Sequence, residues 1–115
     1  CNHWFNPKDK RSAELRKRVE ARDKFFSYEV FMAYTATRLL ADAIERAKSA
    51  DRAAIINALE SSTFADHIMP YGPTQFVNGQ NQGAQPLMTQ VRKNDIRVIV
   101  PREYREIDPL FPLKA

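Results

Sequence analysis

The sequence predicts an α/β fold in which three helices precede a short strand, a polar connection and a β-hairpin. Apolar residues recur at three- and four-residue steps through the first half of the chain, which is typical of helices that bury one face. Beyond residue 87, apolar and polar residues alternate, which is typical of strands. With 115 residues, 43% hydrophobic and 28% charged, the chain has the size and composition of one globular domain.

The first helix is predicted over about residues 13–22. Ser12 is a suitable N-cap, because a serine oxygen can accept a hydrogen bond from a free N–H group of the first turn. Glu14 then lies in the first turn, near the positive end of the helix dipole. Leu15 and Val19 are four residues apart and form one narrow apolar stripe.

The second and third helices carry the stronger periodic signal. The second is predicted over residues 27–48, capped by Ser27 and with Glu29 in its first turn, and the third over residues 51–60, capped by Asp51. The apolar positions of the second helix are Val30, Phe31, Tyr34, Leu39, Leu40, Ala43, Ile44 and Ala47, and those of the third are Ile55, Ile56 and Leu59.

The second half of the chain reads as strands and turns. A short strand is predicted at about residues 73–77, and residues 78–86 form a polar stretch that begins with the turn dipeptide Asn-Gly. Residues 87–101 predict a β-hairpin whose two-residue turn is Asn94-Asp95. Residues 102–115 form an irregular tail whose apolar residues must pack on something.

Composition and charge exclude several classes of function. No apolar run approaches the roughly 20 residues of a membrane span. The net charge of +4 has much of its excess in residues 8–24, which raises nucleic acid as a partner. Acidic residues interrupt that run and no aromatic residues are interleaved for base stacking, so no nucleic acid is expected.

The start of the chain allows two interpretations. Cys1 is the only cysteine, so no intrachain disulfide can form. It is either the lipidated first residue of a mature bacterial lipoprotein or an arbitrary fragment end, and the residues that follow do not resemble a flexible tether. Because there is no initiator Met and no signal peptide, we expect a chain that was processed or cut from something longer.

The search for reactive groups predicts neither an enzyme nor a metal or cofactor site. His3 and His67 lie far apart and have no companions at metal-ligand spacing. Gly-rich phosphate loops and a GxSxG nucleophile elbow are both absent from the sequence.

One stretch could still bind a ligand. Ser27, Tyr28 and Glu29 place a hydroxyl, a phenol and a carboxylate at the start of the second helix, where free N–H groups favour an anion. The alternative is that Ser27 is only a cap, Tyr28 an edge-of-core residue and Glu29 a surface acid. Glu29 opposes an anion unless it points away or meets an amine of the ligand.

The segments "FSYEVFMAYTATRLLADAIERAKSADRAAIINAL", "GPTQFVNGQ" and "QVRKNDIRVIVP" occur in an order that resembles the C-terminal third of type I periplasmic solute-binding proteins of ABC importers, in the branched-chain amino acid (leucine/isoleucine/valine-binding) family. The resemblance covers roughly residues 3–101. It implies a two-lobed receptor in which residues 1–77 end one lobe, 78–86 form the last crossover and 87–101 belong to the other lobe.

The resemblance also implies a function without catalysis. The receptor would bind a small-molecule ligand, such as an amino acid, an amide or an aromatic acid, through Ser27, Tyr28 and Glu29. Its partners would be the missing N-terminal part of the same receptor and a membrane permease, in the periplasm or on a lipid anchor. The alternative is a stand-alone α/β sensory or interaction domain that dimerises through sheet edges and its apolar tail.

Two departures from the family pattern stand out. The segment between the first helix and "SYE" is short, and the hairpin turn lacks the glycine that is common in the family.

Overall fold

The computed structural model describes residues 4–112, so the interpretations of Cys1 and His3 lie outside the described residues. Three helices come first: α1 at Lys10–Glu20, α2 at Tyr28–Ala47 and α3 at Arg52–Glu60. Two small antiparallel sheets follow them. The predicted mixed α/β class is confirmed.

Each sheet is a hairpin of two strands. The first pairs β1 at Phe76–Val77 with β2 at Gln80–Asn81, and the second pairs β3 at Met88–Arg92 with β4 at Asp95–Val100. The strand predicted at 73–77 is therefore confined to its last two residues, because the chain reverses at the Asn-Gly turn that follows. Asn78 and Gly79 both have positive φ, as a tight hairpin turn of this kind requires.

Helix α1 begins three residues earlier than its pattern predicts, so the N-cap and first-turn predictions were wrong. Asp9 is the N-cap, and its carboxylate accepts a hydrogen bond from the N–H of Arg11 at 2.9 Å. Ser12 lies inside the helix, fully buried, and its hydroxyl has no hydrogen-bond partner among the described residues. Glu14 consequently lies beyond the first turn. A carboxylate is at least as good a cap as a hydroxyl, and here it also binds the Arg11 side chain.

Helices α2 and α3 pack against each other through small residues. Ala43 of α2 is fully buried and Ala58 of α3 nearly so. The Arg46 guanidinium donates to the Ala58 carbonyl oxygen at 2.7 Å and joins the end of α2 to α3. The predicted cap of α3 is confirmed, since the Asp51 carboxylate accepts from the N–H of Ala54 at 3.1 Å.

Part of the predicted apolar face of these two helices faces solvent. Leu40 and Ile44 of α2 and Ile56 of α3 each leave about two fifths of their surface exposed, at 45%, 39% and 44%. Met32 of α2 is similarly exposed at 39%. In the described residues, α2 and α3 thus have more apolar surface than their neighbours cover.

The turn of the second hairpin differs by one residue from the prediction. Lys93 and Asn94 both have positive φ and form the turn, so the prediction of Asn94-Asp95 was wrong. Asp95 instead starts β4, opposite Arg92. The register shifts between Met88 and Thr89, which breaks the alternation near the open end of the hairpin.

One aromatic core joins the start of the chain, the start of α2 and the second hairpin. Phe31 is fully buried, and its ring centroid lies 5.5 Å from that of Trp4 and 5.7 Å from that of Phe5. The buried members of the core are Trp4, Phe5, Phe26, Phe31, Ile68, Met69, Leu87 and Val98. The inner face of the second hairpin therefore packs on the same core as the helices.

The segment after β4 folds back along that strand. The Glu106 carboxylate accepts from the Val98 N–H at 2.8 Å and pairs with Arg97 at 3.1 Å, and the Glu106 N–H donates to the Val98 carbonyl oxygen at 2.9 Å.

Within residues 4–112, none of the helices combines the length and apolar character needed to cross a membrane.

Candidate functional site

The aromatic core holds the start of α2 in place. Phe26, immediately before the N-cap, is buried, and its ring lies 5.3 Å from that of Phe5 and 5.9 Å from that of Phe31. Ser27 is the N-cap residue with extended backbone angles, as predicted, but its hydroxyl makes no capping bond to the helix backbone. The N–H groups of the first turn are therefore not capped by this side chain.

The side chains of Tyr28 and Glu29 extend from this anchored position into solvent. Tyr28 is 49% exposed, and Glu29 is exposed as well. The pKa of the Glu29 carboxyl is lowered, chiefly by hydrogen bonding with the Ser27 hydroxyl and then by its own backbone N–H. The pKa of the Tyr28 phenol is raised by hydrogen bonding to Glu29 and by its negative charge.

The three predicted residues therefore form one small polar group. The Ser27 hydroxyl lowers the pKa of the Glu29 carboxyl and makes no capping bond to the helix backbone. The carboxylate of Glu29 remains ionised near neutral pH, at the positive end of a 20-residue helix. The group offers a carboxylate, a hydroxyl and an aromatic surface to an incoming molecule, and Phe25, exposed at 81%, adds a second aromatic surface beside it.

A polar groove farther along α2 is a feature that the sequence pattern does not predict. Its volume is about 480 Å³, and Arg38 of α2 and Asp66 of the loop after α3 lie on its wall. Asp66 pairs with both Arg38 and Arg11, which ties α1, α2 and that loop together. These charges already have partners, so the groove is best described as a structural ion network. Arg11, Arg38 and Asp66 are separated from one another by 27 or more positions, and no local motif connects them.

His67 has a structural role. It is buried, its Nε2 atom lies 3.1 Å from the Gly72 carbonyl oxygen, and its Nδ1 atom accepts from the Met69 N–H at 3.3 Å. Burial lowers the pKa of its imidazole. No group of three or more potential metal ligands occurs within residues 4–112.

Comparison with known proteins places the chain in a family. A family model described as periplasmic binding protein matches residues 2–95, which is most of the chain. The chain belongs to the periplasmic binding protein family. The match corresponds to the type I, branched-chain amino acid binding kind that the sequence resembles. Searches of curated proteins and of solved structures gave no significant match.

Membership fixes the general role of this periplasmic binding protein. Proteins of the family bind solutes outside the cytoplasm and are not catalysts, so the small-molecule ligand predicted from the sequence is supported at that level. The polar group at the start of α2 is a candidate contact for that solute. Its residues are all within the matched part of the chain.

Proposed function

We propose that this chain is the C-terminal part of the substrate-binding component of an ABC-type importer. The complete receptor binds a small solute, which is an amino acid, an amide or an aromatic acid, in a cleft between two lobes. The observation that carries the proposal is the match of the periplasmic binding protein family over residues 2–95.

In this proposal the solute meets the start of α2. Tyr28 supplies an apolar wall, and the Ser27 hydroxyl and first-turn N–H groups supply hydrogen bonds. Glu29 keeps its negative charge because its pKa is lowered, so it favours a solute that carries an ammonium or amide N–H next to its acceptor groups. The exposure of Tyr28 and Glu29 supports this role, since a ligand can reach both side chains.

The rest of the receptor is the second partner. Met32, Leu40 and Ile44 of α2 and Ile56 of α3 leave apolar surface uncovered, and the missing N-terminal part is proposed to cover it. A membrane permease receives the solute from the receptor. The receptor acts in the periplasm, either free or on a lipid anchor.

The proposal divides the chain between two lobes. Residues 1–77 end one lobe, 78–86 cross over and 87–101 belong to the other lobe. The second hairpin forms a sheet of its own, which supports a boundary before it, while the start of 78–86 pairs with the end of the first lobe. Leu87 and Val98 contact the shared core in this chain, so the hairpin must exchange this contact for one within its own lobe in the complete receptor.

Spin labels on the complete receptor test this division. Arg52 and Val91 are exposed positions in the two proposed lobes. The distance between labels at these positions should shorten when solute closes the cleft. An unchanged distance with saturating solute would contradict the division.

Thermal-shift screening of the complete receptor tests the function. A solute present at about 100 times its Kd stabilises the native state by about 2.7 kcal/mol, which raises Tm by several degrees. Amino acids, amides and aromatic acids form the screen, with sugars as the control class. If none of the three classes raises Tm, the proposed solute class is wrong.

Replacement of Tyr28 tests the site. Tyr28→Ala should weaken solute binding about tenfold, since loss of one aromatic contact is worth about 1–1.5 kcal/mol. Tyr28→Phe separates the hydroxyl from the ring, and Phe111→Ala is the matched control, because Phe111 is an aromatic residue 75% exposed in the tail. Calorimetric titration gives the affinities, and an unchanged Kd in Tyr28→Ala would remove Tyr28 from the site.

A second candidate function is a stand-alone sensory or interaction domain that dimerises. Exposed apolar residues on the second hairpin and tail favour it: Val91 is 69% exposed, Met88 52% and Phe111 75%. Sedimentation equilibrium distinguishes the two, because a stable dimer that Val91→Lys dissociates supports the interaction domain.

A further inference from the structure

A groove with an apolar floor runs between α1 and α2. Its volume is about 340 Å³, and its floor is formed by Leu15 and Val19 of α1 with Val30 and Tyr34 of α2. These four side chains pack against the core but stay partly exposed. A smaller depression of about 160 Å³ continues from the same Leu15 and Tyr34. The groove thus presents an apolar surface to solvent between residues of the two helices.

Three cations line this groove. Arg18 lies in the last turn of α1, and Arg22 and Lys24 follow the helix end. Within residues 4–112, these three side chains have no acidic partner, whereas the neighbouring Arg11 and Arg16 both form ion pairs.

The residues that line the two depressions differ in charge. Glu14 lines the smaller depression, and no acid is among the residues that line the larger groove. Tyr34 is held at the junction, where its hydroxyl accepts from the Arg38 guanidinium at 3.4 Å. The larger groove therefore combines an apolar floor with uncompensated positive charge, which is the complement of an apolar anion.

We propose that the groove between α1 and α2 binds a monocarboxylate with an aliphatic or aromatic body. The body covers the floor, and the carboxylate meets Arg18, Arg22 or Lys24. A volume of about 340 Å³ lies in the range of small-molecule sites, at its lower end. A solute with an ammonium group is disfavoured, because that group would face three cations. Ser27, Tyr28 and Glu29 do not line the groove, so this site is separate from the proposed solute cleft.

Octanoate is the probe that tests this site on the full chain. Methyl NMR signals of Leu15, Val19 and Val30 should shift on titration with sodium octanoate, and octanol should bind at least about threefold more weakly because it lacks the charge. Raising the salt concentration should weaken octanoate and leave octanol nearly unchanged. Equal binding of the acid and the alcohol would overturn the role of the cations, and no shift with either probe would overturn the site.

Charge-removing variants complete the test. Arg22→Gln should weaken octanoate about threefold, and Arg52→Gln is the matched control, since it removes one exposed arginine charge from α3. Equal loss in both variants would reduce the effect to net charge and overturn the proposal. Arg22→Gln should leave solute binding in the proposed cleft unchanged, so the two proposals fail independently. If the chain sediments with anionic lipid vesicles but its methyl NMR signals do not respond to free octanoate, the assignment to a free carboxylate is overturned.

Discussion

Replacement of Phe31 by alanine is the most demanding test of how the structure positions its candidate site. Phe31 is fully buried in the first turn of α2, and three aromatic rings surround it. The centroids lie 5.5 Å away for Trp4, 5.7 Å for Phe5 and 5.9 Å for Phe26. Because these contacts connect the helix start to the beginning of the chain, the substitution should loosen the site as well as the core.

The expected loss of stability follows from the size of the cavity. Truncation of a buried phenylalanine to alanine costs about 3–5 kcal/mol. Since each aromatic pair adds about 0.5–1.5 kcal/mol beyond area burial, the upper part of that range applies to Phe31. A domain has about 5–15 kcal/mol of total stability, so the variant should fold with a much reduced urea midpoint. Trp4 is the only tryptophan and is buried, so its fluorescence reports the transition.

A matched aromatic substitution provides the control. Phe111→Ala removes a ring that is 75% exposed and should change the free energy of unfolding by less than about 0.5 kcal/mol. A loss below about 1.5 kcal/mol in Phe31→Ala, with an unchanged m-value, would refute the reasoning, because it would mean that the aromatic core does not close around the start of α2.

Three further predictions concern other parts of the structure. Glu106→Ala should lower the free energy of unfolding in urea by about 1–3 kcal/mol, because it leaves the buried N–H of a strand residue without its acceptor. Asp108→Ala is the control and should lower it by less than about 1 kcal/mol, because the acid in that ion pair is 90% exposed. Burial lowers the pKa of His67, so below its ordinary pKa of 6.5 the unfolded chain binds more protons than the folded chain. The free energy of unfolding therefore keeps its full value above pH 6.5 and decreases as the pH falls below it. The urea midpoint should decrease on acidification, and His67→Gln should reduce that decrease. Gly83→Ala should lower Tm, since its new methyl group meets a backbone carbonyl oxygen, whereas Gly72→Ala has open space and should leave Tm within a few degrees.

The helices were predictable because their information is local. Periodic apolar residues and the Asp51 cap indicate α2 and α3 correctly in type and nearly in extent. The start of α1 was not predictable, because Asp9 and Ser12 are both acceptable N-caps and the sequence pattern cannot rank them. Asp9 gains a second partner in Arg11, which a list of cap preferences omits.

The hairpin turn and the exposed apolar residues depend on tertiary structure. The register of β3 against β4 places Lys93 and Asn94 in the turn, and Val91, opposite Ile96 and close to that turn, is left 69% exposed. Leu40 likewise follows the helical period but has no neighbour in the described residues to bury it fully. Periodicity identifies a surface suited to burial, and it does not identify the partner.

The candidate site was predictable in position only. Consecutive residues at a helix start must lie together, so Ser27, Tyr28 and Glu29 form a group without further information. That the Ser27 hydroxyl makes no capping bond to the helix backbone depends on its rotamer, which the sequence does not specify. The cationic groove was also hidden, because its floor needs Val30 of α2 to lie beside α1.

The bonding around Asn81 limits how the two hairpins can move. Its side-chain oxygen accepts from the N–H groups of Gln75 and Gly83 at 3.1 Å each, and the Ala84 N–H donates to its carbonyl oxygen at 3.3 Å. Most of the segment 78–86 is thereby fastened to the first hairpin, and only Gln85 and Pro86 are left as free chain before Leu87. Two residues span less than about 8 Å, and proline fixes one of their torsions. If the second hairpin reorients, it must therefore rotate about the short link formed by Gln85 and Pro86. Very few backbone torsions then set its angle.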